Sequence, residues 1–403
     1  MAITYDAIVA GARCAGAPTA MLLARQGYRV LLVDRATFPS DTLSTLVIHA
    51  PGVAALERWG LLPRVLASGC PPIERYSFDF GPVRLAGRPR PCGDVATAYA
   101  PRRHVLDKIL VDAAAATGVE VREGFDIEEV VFEDGAAVGI RGRERGAPRV
   151  EERARVVVGA DGRNSRIAES VGAPRYREKG RLQQAYYSFW RDLPTQDLET
   201  VIRPYRGWGV IPTGDGLTLV VLGWPYAESE AYKADIEGNF LKTLELVPEF
   251  AQRVRQAERV EPFRGGAVVN VLRKPYGPGW ALVGDAGYTK DPITAQGISD
   301  AFRDAELCSG ALAESLRGAA PFEDAMAGYH RARDARALPI YEFTAQIATL
   351  EPPPPEMQQL IGAVAGNQAA MDAFASVVAG TLSASEFFDP ANLERVLGAP
   401  APA

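Results

Sequence analysis

The first 34 residues constrain the fold more than any other part of the chain. Tyr5 to Ala10 is a short apolar strand, Cys14 to Gln26 has helical spacing, and Arg29 to Val33 is a second buried strand. Strand, helix, strand in that order is a βαβ unit, which implies a parallel sheet. The turn between the first strand and the helix reads Gly11-Ala12-Arg13-Cys14-Ala15-Gly16, where a Gly-x-Gly-x-x-Gly turn would cradle a pyrophosphate. Gly11 allows the tight turn, and Gly16 lets helix and strand approach closely. Arg13 replaces the middle glycine: its amide still faces a pyrophosphate, and its guanidinium can reach a phosphate. Cys14 reads as a small helix-start residue rather than a nucleophile or covalent anchor. Asp34 ends the second strand, 23 residues after Gly11, where an acid pairs with ribose hydroxyls. Arg35 beside it can cover an adenine or bind a phosphate. The unit reads as a dinucleotide site.

The rest of the composition narrows the class. A chain of 403 residues with 47 % hydrophobic and 23 % charged content buries a sizeable core and is expected to form two interleaved domains. A net charge of −6 argues against nucleic-acid or anionic-membrane partners. Four scattered cysteines without a Cys-x-x-Cys pair, and three dispersed histidines, predict no metal site and reduced thiols. No apolar run is long enough to span a membrane, and the early first strand leaves no room for a signal peptide, so a cytoplasmic location is expected.

Two further stretches carry the same kind of signal. Gly159-Ala160-Asp161-Gly162 follows the apolar Val156 to Val158. Near the end, Trp280 to Val283 reads as a buried strand, then comes Gly284-Asp285-Ala286-Gly287-Tyr288-Thr289-Lys290-Asp291-Pro292-Ile293-Thr294-Ala295-Gln296-Gly297, then a helix from Ile298 to Leu316. A carboxylate at that strand end suits a ribityl or ribose group. The helix beyond it turns its positive end toward an electron-accepting ring such as a flavin.

Together the three motifs resemble the FAD-dependent monooxygenases of the aromatic-hydroxylase fold (p-hydroxybenzoate hydroxylase-like), a family that includes geranylgeranyl reductases and flavin-dependent halogenases. The resemblance runs from about Ile3 to Leu350. It implies an α/β architecture: a Rossmann-type FAD-binding domain (1–75, 100–175 and 268–350) interleaved with an antiparallel-sheet substrate domain (76–99 and 176–267). Residues 351–403 follow as a short helical C-terminal region with a disordered alanine–proline tail. It further implies non-covalent FAD held by the turn from Gly11 and Arg13 through Cys14 and Ala15 to Gly16, with Asp34 and Arg35 at the adenosine end. Arg103 and Thr45 would touch the cofactor, and Asp161 and Gly162 would serve both FAD and NAD(P)H. Asp285 would hold the ribityl chain, with Pro292, Ala295, Gln296, Gly297 and Ile298 beside the ring. Two departures stand out: Gly287-Tyr288 replaces the family's Ala-His, and Ala295-Gln296-Gly297 its Gly-Gln-Gly.

The activity this resemblance implies is an NAD(P)H- and O2-dependent monooxygenase that hydroxylates an aromatic or polyketide/indole-like small molecule through a C4a-hydroperoxyflavin. NAD(P)H would bind transiently, because no second strand–glycine turn–helix is visible. A reductase of prenyl double bonds is the alternative, and a non-catalytic binding protein a third class. Gly207-Trp208-Gly209-Val210-Ile211-Pro212 only half-matches the aromatic motifs of the reductases and halogenases. Pro292 would keep the reacting centre dry, and His49 could orient or deprotonate a phenol, although a hydrogen-bonded loop histidine is the commoner occupant. Tyr187, Phe189, Trp208 and Tyr288 are candidates to line the substrate. Lys290 and Asp291 either reach substrate or NAD(P)H or pair on the surface. A monomer or homodimer is expected.

Overall fold

The computed structural model describes residues 4–397; the expected disordered tail at 398–403 lies outside them. Tyr5–Ala10 is the centre of a parallel sheet, with Val30–Asp34 on one side and Val150–Gly159 on the other. Glu120–Glu123 extends the sheet beyond Val30–Asp34, and Trp280–Leu282 extends it beyond Val150–Gly159. Ile8 stands opposite both Leu31 and Val157. These strands are covered on both faces, which is why they read as unbroken apolar runs. The helices Gly16–Ala24, Arg103–Ala116 and Gly297–Leu316 cover one face. A meander of Phe125–Glu133, Ala136–Glu144 and Val150–Gly159 packs on the other. The run from Glu120 to Glu133 is two strands. It breaks at Gly124, its first part joining the parallel sheet and its second the meander.

The second sheet has eight strands, drawn from 76–87 and 183–267. Gln183–Arg191, Leu217–Pro225, Arg206–Pro212 and Leu198–Arg203 run antiparallel in that order, and Tyr76–Asp79 joins Leu198–Arg203 in parallel. Alternation gives this sheet two unlike faces. On the outer face Tyr186, Trp190, Trp208, Val220 and Trp224 pack against helices 229–256 through Tyr232, Phe240 and Phe250. On the inner face Tyr187, Phe189, Ile211 and Leu219 share one apolar cluster with Leu46 and Val47 of the nucleotide domain. The C-terminal helices, Pro355–Ala365 and Gln368–Ala379 foremost, complete that cluster through Leu360, Ile361, Val364 and Val377. The fold is thus the expected α/β combination of a Rossmann-type domain, an antiparallel sheet and a helical C-terminal region. Among the described residues no helix is long and apolar enough to cross a membrane.

Candidate dinucleotide cradle and adjoining apolar face

The cradle forms where three separate turns meet. Gly11, at φ +103°, lies so close to the Ala160 turn that an added Cβ would stand 2.4 Å from the Ala160 carbonyl oxygen. A Cβ on Gly16 would stand 1.8 Å from the carbonyl oxygen of Gly11. Gly284 closes the arrangement, its Cβ position 2.8 Å from the methyl of Ala15. Motifs some 270 residues apart in the chain therefore touch through backbone, and glycine is what allows it.

Asp34 ends its strand as expected. One carboxylate oxygen accepts from the Ala12 amide (2.7 Å) and the other from Ala36 (2.8 Å), so it fixes the shape of the glycine turn. Arg35 is exposed beside it. The Arg13 guanidinium, expected to reach a phosphate, is engaged by protein groups. It donates to Asp107 and to the carbonyl and hydroxyl of Ser40, and it lies over the Phe38 ring. Asp107, completely buried, also receives two donor groups of Arg103 at 3.0–3.2 Å and the Cys14 thiol at 3.4 Å. Two guanidiniums on one buried carboxylate make this the electrostatic anchor of the cradle. Sequence reading passed over Asp107, although its position one helical turn after Arg103 was the available signal. Burial pushes the Cys14 thiol up, so it stays protonated.

Asp161 was expected to touch cofactor, but it serves the chain instead. Its carboxylate accepts from the Ser165 hydroxyl and from the amides of Arg166 and Ile167, capping the helix Arg166–Ser170. Gly162 beside it is half-exposed. Asp285 is the opposite case. It is open to solvent and has no hydrogen-bond partner among the described residues. The surrounding protein pushes its carboxyl up, opposed by the charges of Lys290, Arg103 and Arg163.

The turn after Asp285 is braced from both sides. Pro292 and Ala295 are half-buried and Gln296 is buried, while Gly297 is exposed with open space around its missing Cβ. Ala295 holds φ +52°, a left-handed conformation that costs a residue with a Cβ about 1–2 kcal/mol. It stands where the family has glycine. The amides of Gln296, Gly297 and Ile298, opening the 20-residue helix Gly297–Leu316, donate to no acceptor among the described residues. Free amides, an unpartnered carboxylate and open space at the helix start are the features a bound dinucleotide would complete.

Several expected site residues lie elsewhere. His49 is wholly buried: Nε2–H donates to the Thr294 carbonyl (3.0 Å), leaving Nδ1 to accept from the Tyr76 hydroxyl (2.6 Å). With both nitrogens engaged and burial pushing its pKa down to about 4, it has no lone pair for a substrate proton. Thr45, half-buried, sits four residues before it on the same segment. Trp208 is on the outer face against Phe250, because its strand parity is opposite to that of Ile211. Tyr288 lies behind the turn with Leu272, Ala337 and Tyr341, accepting from Arg303 at 2.8 Å. Lys290 and Asp291 do not pair with each other at the surface; Lys290 is bound to Asp300 and Asp291 to Gln183, both inside. Of the four substrate candidates, Tyr187 and Phe189 alone lie in the apolar cluster against which Ala295 packs.

The sequence matches a family model described as an FAD binding domain over residues 4–344. It is 29 % identical over 355 residues to the 6-methylpretetramide 4-monooxygenase of Streptomyces rimosus, covering 83 % of this chain and 82 % of that protein. It is 26 % identical to a digeranylgeranylglycerophospholipid reductase of Methanocella arvoryzae, covering 78 % of each. The solved flavin-dependent brominase Bmp2 shares the fold, with a TM-score of 0.81 at 19 % identity and 98 % coverage of both chains. The family model spans most of the chain and all three turns of the cradle, so the chain belongs to the FAD-binding-domain family of flavin-dependent oxidoreductases.

Proposed function

We propose that this protein uses NAD(P)H and O2 to hydroxylate an aromatic or polyketide/indole-like small molecule. The observation that supports this most is the meeting of helix-start amides at Gln296–Ile298, unpartnered among the described residues, with the apolar inner face of the sheet that carries Tyr187 and Phe189. The 6-methylpretetramide monooxygenase among its relatives agrees with such a substrate class. FAD, when bound, supplies electron transfer and oxygen activation.

The turn from Gly11 through Cys14 and Ala15 to Gly16 would hold the pyrophosphate, Asp34 and Arg35 the adenosine, and Asp285 the ribityl chain. Arg103 and Thr45 would flank the cofactor, Gly162 would leave an approach to it, and Pro292 with Ala295 to Ile298 would border the ring. The free amides and the positive helix end stabilise negative charge developing beside them. Pro292 and the apolar inner face exclude water. His49 acts as a positioning residue, holding the Thr294 carbonyl as a neutral imidazole. Oxygen and the nicotinamide donor would enter transiently.

The test is NAD(P)H oxidation by the FAD-loaded protein across a panel of phenols, indoles and polyketide-like compounds, with oxygen uptake and peroxide followed together. Oxygen consumed in step with product, without peroxide, is the expected result. Anaerobic saturation of a polyprenyl alkene would instead assign the reductase chemistry of the Methanocella relative. A product that requires halide would assign halogenation.

A further inference from the structure

We infer that the side chain of Gln296 is a positioning residue that couples the seating of the C-terminal helices to the binding of FAD. The inference rests on the reading that FAD lies against the amides opening helix Gly297–Leu316.

Three observations carry it. The residue before Gln296, Ala295, is held left-handed against its own preference. Such a conformation persists only where the surroundings over-determine it. Its neighbours on both sides are tethered. On the N-terminal side, the Thr294 carbonyl is held by His49, and the Thr294 hydroxyl meets that of Thr344 at 3.1 Å. On the C-terminal side, the tether is the Gln296 side chain, whose Nε2 donates to the Val378 carbonyl at 2.5 Å.

Val378 belongs to the last turn of helix Gln368–Ala379, and the residue ending that helix is shaped to this contact. Gly380 has φ +72°, and an added Cβ would stand 3.2 Å from both Nε2 and Oε1 of Gln296.

The helix that supplies the carbonyl is itself firmly docked. Asp372 accepts from the Arg88 amide (2.9 Å), Ser376 from the Arg90 amide (2.8 Å), and Gln368 donates to the Ala86 carbonyl (3.1 Å). A Cβ on Gly87 would stand 2.3 Å from the Met371 carbonyl oxygen. The edge of the antiparallel sheet thus carries the helix, the helix holds Gln296, and Gln296 holds the strained residue before the free amides. Without the tether, Ala295 can relax toward the right-handed region and turn those amides away from the cofactor. Because linkage is reciprocal, FAD must stabilise the docked helix by the factor that docking strengthens FAD.

The experiment uses the full chain and free FAD, with binding followed by flavin fluorescence. Gln296→Met keeps the size and loses the donor; it should bind FAD about fivefold more weakly, the equivalent of one net hydrogen bond. Gly380→Ala, made from the other side of the contact, should weaken FAD in the same direction. Ala295→Gly removes the strain and should restore affinity in the Gln296→Met background, a rescue that loss of general packing does not predict. In the wild type, FAD should slow proteolysis within residues 366–382, and in Gln296→Met this protection should shrink. If wild-type protein binds FAD and Gln296→Met binds it within twofold, the coupling is refuted. It is equally refuted if Ala295→Gly fails to rescue. Wild-type protein that binds no FAD at all would overturn the underlying site reading together with this inference.

Discussion

Glycines serve unlike purposes in the cradle and in the sheet strand Arg206–Pro212. In the cradle, Gly11 and Gly16 stand where backbone meets backbone, with Cβ positions 2.4 and 1.8 Å from carbonyl oxygens that cannot move without moving a strand or a helix. On the inner face of the sheet, Gly207 and Gly209 meet side-chain carbons, of Leu350 at 3.4 Å and Val221 at 3.3 Å, and both neighbours can yield. The cradle is set by covalent geometry, whereas the inner face of the sheet is set by side chains that can repack.

The contrast can be broken by substitution. The largest effect is expected at Asp107→Ala, which leaves the buried Arg103 without its carboxylate and frees Arg13. Chemical denaturation should show a loss of about 3–5 kcal/mol, the usual result of removing one partner of a buried ion pair. Gly16→Ala comes next, at about 3 kcal/mol, the upper end for overpacking because the obstacle is backbone. The purified variant should also lack flavin absorbance. Stability within 1 kcal/mol of wild type would contradict the rigid-cradle reading.

A third effect lies at the seam, where His49 and Asp291 brace one turn with opposite pH signatures. Burial pushes the His49 imidazole down from 6.5 to about 4, so its contribution is whole above 6.5 and lost as pH falls toward 4. Burial pushes the Asp291 carboxyl up from 3.8 to about 7, so its contribution is whole below 3.8 and lost as pH rises toward 7. The groups facing Asp291 are neutral: Gln183, the Ile293 amide and Asn270, whose side chain accepts from the Asp291 amide. Asp291→Asn should therefore gain Tm relative to wild type between pH 4 and 7, by a few degrees at the upper end. A difference in Tm that stays constant with pH would remove the titration from the account. The smallest effect is expected on the inner face of the sheet. Gly209→Ala should cost less than about 1 kcal/mol and shift KM more than kcat if the proposed substrate rests on that face.

Much of the cradle was legible because its signals are local. A glycine turn between strand and helix, with an acid ending the next strand, names its own geometry whatever surrounds it. Asp34, Gly11 and Gly16 stand at the strand ends and turn where the motif puts them. The partners were less legible. Arg13 was expected to reach a phosphate because it stands inside a glycine turn of the kind that cradles a pyrophosphate. Its real partners, Asp107 and Ser40, come from a distant helix and a loop. The placing of the aromatic candidates was hidden for a different reason. A strand offers alternate residues to opposite faces, and residue type does not say which face a neighbour will cover. Tyr187 and Trp208 are equally aromatic, yet one lies on the inner face of the sheet and the other packs on Phe250.

By itself, the sequence determined the parallel sheet, the positions of the three turns and the residues that must be small, since backbone sterics and strand–helix periodicity act within a few residues. The tertiary structure alone decided what each turn meets. It brought Asp107 under two arginines, turned His49 inward onto Thr294, and set the C-terminal helix against Gln296. Those outcomes depend on which surfaces bury each other, a property of the packed whole that no stretch of sequence carries alone.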